Sequence, residues 1–314
     1  MWRFNRIKEF FDLDDAIRDC IAGVAGRNEQ AYTAKLVTEL PQKANAIFKA
    51  HGFGFGGAFI HQRPCVTPMG ESKGCELGDL LVFCHRIVNG KDRYNAQLLQ
   101  LKKVIRCCAG VRVSPTSVQY RLYADWPKFR FTKPALPGDY DIYPKAATPG
   151  ALYSLIEERG CGCLIPLVGA WLKAGRCIPQ ISVAGPEPSI STERCLPLAA
   201  NIMAMMDWRG GRPICRYDEL TTCSDEWSKL IWNLLWATLG AKFTCTAAGF
   251  PVGKKGDRTS RNLDAHLKWL QQCAQAGQEV VARSFEGEAD GSCDKTDNGF
   301  GLLIIDEQRV GRGD

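Results

Sequence analysis

Three polar residues stand out for their spacing around a turn. Asp79 opens the run Asp-Leu-Leu-Val-Phe-Cys-His-Arg-Ile-Val over 79–88. Gln100-Leu101-Lys102 lies near the end of a second run over 92–104. Between them sits Asn89-Gly90, the dipeptide that most favours a two-residue hairpin turn. With these residues at the centre of the turn, facing positions sum to 179, which sets Asp79 opposite Gln100. Side chains alternate along a strand, so Gln100 and Lys102 share a face, and a facing Asp79 shares it too. A one-residue slip of the turn would undo the arrangement.

Phosphodiester hydrolysis calls for such a set. A carboxylate holds a hard divalent ion, which prefers oxygen ligands. The ion polarises a phosphoryl oxygen and acidifies bound water. A neighbouring lysine orients that water and offsets developing charge. The main-chain carbonyl of Leu101 is a further candidate oxygen ligand.

The elements that must position this set are legible around it. Leu36, Val37, Leu40, Ala44, Ile47 and Phe48 recur at helical spacing within a helical stretch from about 14 to 50. The glycine-rich segment 52–60 reads as an approach into a strand. Both hairpin runs are nearly continuous in apolar residues, as strands covered on both faces are. A helix is expected from Ser114-Pro115, a cap followed by proline at the first helical position, and Pro127 stops it. Further strands are expected at 162–168 and 178–183, helices at 193–207, 225–240 and 261–276, and a last strand at 299–305. The reading is one α/β core with a more helical C-terminal part, with 1–190 as the core and 191–314 packed on it.

Composition bounds the rest. The 314 residues are 45% hydrophobic and 24% charged, ordinary for a globular chain. No apolar run approaches the roughly 18 residues of a membrane helix, and charges interrupt the N-terminal stretch, so no membrane span or secretory signal is expected. The cytoplasm is the expected compartment. The net charge of +6 permits an anionic substrate without implying one. The 15 cysteines include no CxxC pair and accompany four histidines, which argues for reduced, mostly buried thiols over a zinc site or a thiol-based enzyme. Cys161-Gly-Cys163 and Cys107-Cys108 are the nearest approaches to paired ligands.

The hairpin resembles the signature of the PD-(D/E)xK, or restriction-endonuclease-like, nucleases: a strand starting with Asp, a hairpin, and a strand ending in (D/E/Q)-x-K. In that family the preceding helix often carries a metal-site glutamate, and Glu29 in Asn28–Leu36 matches it. RecB-type members carry Q-x3-Y on the next helix, and Gln119-Tyr-Arg-Leu-Tyr123 fits. The likeness covers roughly residues 25–125. It implies a mixed central sheet flanked by helices and a Mg²⁺- or Mn²⁺-dependent nuclease, with DNA as the expected substrate. It implies Asp79, Glu29 and Gln100 as metal-site residues, Lys102 as the group that supports the nucleophile, and Gln119 and Tyr123 holding substrate or ordering the site. Proteins with this pattern often serve bacterial defence against phage, and an activating partner protein is expected; an oligomer is compatible with the sequence.

The chain departs from the family in two respects, and the first is that no proline immediately precedes Asp79. Glutamine replaces the third-strand acid, which weakens the metal site and gives Glu76 and Glu29 more to do. The alternative is therefore a catalytically inactive module of the same fold that binds nucleic acid or a partner. Each motif also has a plainer reading. Asp79 at a strand start can be a cap, Glu29 a charge at a helix N-terminus, and Gln119 with Tyr123 helix packing. His61, close upstream of the acidic cluster, is a candidate phosphate contact or a packed strand histidine. Lys254, Lys255, Arg258 and Arg261 form a basic loop that suits a nucleic-acid backbone or plain solvent. Trp227, Ile231, Leu234 and Leu235 fall on one helical face and read as core.

Overall fold

The computed structural model describes residues 6–24, 27–104, 111–112, 114, 116–145, 150–157, 180–184, 189–190, 196–240, 260–282 and 299–307. Its first half holds helices α1 (Ile7–Ala22), α2 (Glu29–Thr38) and α3 (Leu40–Phe48), then strands β1 (Phe53–Ile60), β2 (Cys65–Pro68) and β3 (Cys75–Glu76). The hairpin strands β4 (Leu80–Val88) and β5 (Lys91–Val104) come next, then β6 (Val111–Arg112), α4 (Val118–Asp125), β7 (Phe129–Lys133) and β8 (Asp139–Tyr140). The second half contributes β9 (Ala151–Glu157), β10 (Gln180–Ala184), β11 (Ser189–Ile190), β12 (Leu196–Pro197), α5 (Leu198–Met206) and β13 (Arg212–Ile214). Then follow α6 (Glu226–Leu239), α7 (Ser260–Gln275), β14 (Val281–Ala282) and β15 (Phe300–Glu307).

Among the described residues a nine-stranded mixed sheet organises the molecule, in the order β12-β10-β9-β5-β4-β15-β1-β14, with β13 paired to β5. A four-stranded sheet, β3-β2-β7-β8, lies beside it. The chain is thus α/β, a mixed sheet flanked by helices. Buried residues of α1, α2, α3 and α5 pack on one face, and those of α4, α6 and α7 on the other. Trp227, Ile231, Leu234 and Leu235 are all buried in that second core.

The glycines of β1 explain how helices reach both faces. A Cβ on Gly57 would stand 2.0 Å from the Val37 carbonyl oxygen of α2, and one on Gly56 would stand 2.8 Å from Leu270 Cβ of α7. Only the missing side chains allow both helices to close on the strand.

Asn89 and Gly90 both have positive φ, 53° and 73°, as the tight hairpin turn demands. The register follows: Leu80 faces Leu99 and Val88 faces Lys91. β5 is 14 residues long and outruns its partner. Among the described residues it is paired beyond Leu99 only on its other edge, in parallel with β9, where Gln100 meets Tyr153 and Lys102 meets Leu155.

The structure differs from the sequence reading in several places. The fourth helix starts at Val118, not at Ser114-Pro115, because the Ser117 hydroxyl caps it by accepting from Tyr120 N at 3.1 Å. The helical stretch from 14 to 50 is three helices, divided near Asn28 and Glu39. The last strand, β15, lies between β1 and β4, so residues from both sides of the 190/191 boundary share one sheet. The strand expected at 162–168, Cys107, Cys108, Cys161, Cys163, Lys254, Lys255, Arg258 and the Arg261 side chain lie outside the described residues. No helix among the described residues is long and apolar enough to cross a membrane.

Candidate active site

The candidate site forms where β4 begins and β5 runs on without it. Main-chain N–H groups on that bare edge need acceptors, and carboxylates provide them. Asp79 Oδ2 accepts from Leu101 N at 2.7 Å, and Glu29 Oε1 accepts from Lys103 N at 3.0 Å. Two carboxylates from distant parts of the chain thus line one strand edge, their anchoring residues two apart. That spacing is about 7 Å along an extended strand. Glu29 opens α2, where Asn28 Oδ1 caps the helix by accepting from Ala31 N at 3.0 Å.

Gln100 faces Asp79 as the hairpin arithmetic requires, and its amide nitrogen donates to Asp79 Oδ2. A carboxylate only accepts, so Asp79 fixes Gln100 with its NH₂ inward and its oxygen outward. That oxygen accepts from the Gln119 amide at 2.5 Å. The Gln119 nitrogen also lies 3.4 Å from the Glu76 carbonyl oxygen. Glutamine in place of the acid therefore completes a hydrogen-bonded chain from α4 to Asp79.

Asp79 is fully buried, and its second oxygen, Oδ1, has no hydrogen-bond partner. Burial is the main force on its carboxyl and raises its pKa to about 7. The Leu101 N–H and the charges of Lys102 and Arg63 pull it down, while Glu29 pushes it up. Lys102 follows Gln100 by two on the same face. Among the described residues its ammonium has no hydrogen bond or ion pair, so its charge is uncommitted beside the carboxylates.

The remaining candidates divide. Tyr123 is fully buried, and its hydroxyl donates to the Leu77 carbonyl at 2.6 Å, so it orders the approach to Asp79 from inside the core. Glu76 turns to Arg63, with which it forms an ion pair, instead of to Asp79. His61 is exposed, with its ring edge-on to Phe59 at 5.0 Å. It continues β1, which β15 separates from β4, about 10 Å away at ordinary strand spacing. Arg63 is the residue the sequence reading passed over. Its only sequence signal is a place two residues after His61; its proximity to Asp79 comes from the loop between β1 and β2.

Among the described residues no group of three or more His, Cys, Asp or Glu is placed to hold a metal ion. The donor set still suits a hard cation that keeps most of its waters, since Mg²⁺ is commonly held by one or two carboxylates plus substrate phosphates. The orphaned Oδ1 of Asp79 and the neighbouring Glu29 are such a pair. The described cysteines offer no competing centre. All are free thiols, and burial lifts Cys20 and Cys75 to about 12, which leaves them inert.

Compared with known proteins, the chain matches no family model, no curated protein sequence and no solved structure.

Proposed function

We propose that this protein is a metal-dependent nuclease of the PD-(D/E)xK kind, with a restriction-endonuclease-like core and its site at Asp79, Glu29, Gln100 and Lys102. One observation carries the reading. A buried carboxylate with an unpartnered oxygen faces Gln100 across the hairpin, with an uncommitted lysine two residues further on. An orphaned buried carboxylate oxygen is costly unless something cationic completes it. Helix–Glu, strand–Asp, QxK and helix–QxxxY also occur in the order the family shows, and all but Tyr123 reach one strand end.

The chain's own residues would then act as follows. Asp79 and Glu29 present oxygens to Mg²⁺ or Mn²⁺, which when bound supplies Lewis acidity to a phosphoryl oxygen and to an attacking water. Gln100 holds the Asp79 carboxylate at a fixed angle, and Gln119 holds Gln100. Lys102 aligns the nucleophile and offsets charge that develops on the phosphate in the transition state. DNA is the proposed substrate, and bacterial defence against foreign DNA, in the cytoplasm with an activating partner, is the setting the resemblance suggests.

Plasmid cleavage with Mg²⁺, with Mn²⁺ and with EDTA tests this. Cleavage should need the metal, and Lys102→Ala should lower it by about a hundredfold or more while leaving the fold unchanged. No cleavage by the wild type under any condition would remove the enzyme reading.

A second reading has an observation of its own. Asp79 and Glu29 each already serve a main-chain N–H, so both could be purely structural in a binding module that has lost catalysis. Gln100→Glu separates the two readings. In a working enzyme it should retain cleavage; in a lapsed one it should awaken it from nothing.

A further inference from the structure

The connection from β13 to α6 carries a cysteine near each end. Cys215 follows Ile214, the last residue of β13, and Cys223 lies two residues before Asp225, the N-cap of α6. Hydrogen bonds fold the connection back on itself. Tyr217–Glu219 form a single 3₁₀ turn, Leu220 N donates to the Tyr217 carbonyl at 3.2 Å, and Cys223 N donates to the Glu219 carbonyl at 2.8 Å. The turn is seated on α6 by its aromatic ring: Tyr217 is edge-on to Trp232 at 5.5 Å and to Trp236 at 5.6 Å.

The two ends of the connection come together at the start of α6. Cys215 N donates to Ser228 Oγ at 2.9 Å, and the Trp232 indole N–H donates to the Cys215 carbonyl at 2.9 Å. The Ser228 hydroxyl in turn donates to Asp225 Oδ2 at 2.5 Å. Cys215 is thus tied to the same helix start into which Cys223 leads, and the two side chains interact. Both are free thiols and both are partly exposed, whereas Cys20, Cys84 and Cys273 are buried.

Neighbouring thiols that solvent can reach suit thiol–disulfide exchange, because the second can displace whatever the first has captured. Their roles differ. Burial raises the Cys215 thiol to about 11, opposed by the Ser228 hydroxyl and reinforced by Cys223. The thiolate is the nucleophile, so Cys215 is a poor first attacker. It suits the second step, where its target is already held beside it.

We propose that Cys215 and Cys223 form a reversible redox site, closed to an intramolecular disulfide by a low-molecular-weight disulfide of the glutathione kind. The Cys223 thiolate attacks one sulfur of the small disulfide. An S–S bond forms to Cys223, and the first small thiolate leaves and takes up the proton that Cys223 released. Cys215, as its thiolate, then attacks the Cys223 sulfur. The second small thiolate leaves and takes up the Cys215 proton. Two protein thiols are oxidised, and one small disulfide is reduced to two thiols. The closed bond fastens the turn at 217–219 across its base. The site uses no residue of the candidate nuclease centre and does not depend on that reading.

Incubation of the full chain with glutathione disulfide, then alkylation of the remaining thiols and mass-spectrometric peptide mapping, tests the proposal. Trypsin cuts after Arg216, between the two cysteines, so the linked peptides are diagnostic. The wild type should yield the 215–223 link, and dithiothreitol should restore both thiols. Cys215→Ser should leave glutathione trapped on Cys223, as loss of the second attacker requires. Cys223→Ser should abolish the link without glutathione accumulating on Cys215. Both positions are partly exposed, so far-UV circular dichroism of the two variants should match the wild type; if one fails to fold, the wild type and the other still decide. A wild type with no 215–223 link, with glutathione on both cysteines, or with either joined to a different cysteine in preference would overturn the proposal.

Discussion

Leu101 and Lys103 present N–H groups to an edge that β4 does not cover, and Asp79 and Glu29 take the place of the missing strand. The structural and chemical roles of Asp79 can therefore be separated by substitution. Asp79→Asn keeps an oxygen for Leu101 N and removes a buried charge, so its melting temperature should stay near the wild type while Mg²⁺ binding is lost in titration. Asp79→Ala leaves buried donors on Leu101 and Gln100 without an acceptor, which should cost about 1–3 kcal/mol in denaturant unfolding. An Asp79→Asn variant that fails to fold would place the residue wholly in the scaffold. His85 gives a pH-dependent counterpart. Burial alone would lower its pKa, but Asp306 and Asp92 outweigh that and raise it above 6.5. The folded state then holds the proton more tightly than the unfolded chain. This stabilisation is fully present below pH 6.5 and fades as pH rises through the higher folded value. The stability gap between wild type and His85→Gln should narrow over that rise; a constant gap would show that the ring is not charged. Asp79, Gln100 and Lys102 were legible in the sequence because Asn89-Gly90 fixes their register locally. Arg63 and the His85–Asp306 pair were not. The second joins residues 221 apart, and no local pattern encodes such a contact.

At the level of elements, the helices and the strands β1, β4, β5, β10 and β15 could be read from the sequence, whereas the short strands and β9, which pairs with β5, could not. The start expected at Ser114-Pro115 falls instead at Ser117, whose hydroxyl accepts from Tyr120 N. The glycines of β1 were visible as a glycine-rich approach, but not as the places where two helices close on one strand. Gly57→Ala should therefore be severe. A methyl group 2.0 Å from the Val37 carbonyl oxygen must push α2 away, with Glu29 at its start. A loss of about 3 kcal/mol or more in chemical denaturation is expected, together with weakened Mg²⁺ binding. Tyr123→Phe is milder. It removes the hydroxyl that satisfies the Leu77 carbonyl and should cost about 1–2 kcal/mol, without altering any group that faces the candidate metal ligands.

At the scale of the whole molecule, the alternation of strands and helices pointed correctly to an α/β chain, whereas the order of strands in the sheet could not be read. Apolar run 299–305 looks alike at an edge or at the centre, since both bury its side chains. In the fold it lies between β1 and β4, antiparallel to the first and parallel to the second. Removing residues 300–307 should therefore prevent folding: far-UV circular dichroism should lose its cooperative melt, and the chain should bind a hydrophobic dye.

The same strand has a consequence during synthesis. The ribosome delivers β1, β4 and β5 long before β15, so the sheet waits with a gap at its centre. Gly301 N donates to the Asp79 carbonyl at 2.8 Å, and the backbone of the key carboxylate is clasped only when that strand arrives. A nascent chain that has not yet reached β15 carries every residue of the candidate site without its geometry. Under the nuclease function proposed above, the order of translation would itself delay activity until that strand is made.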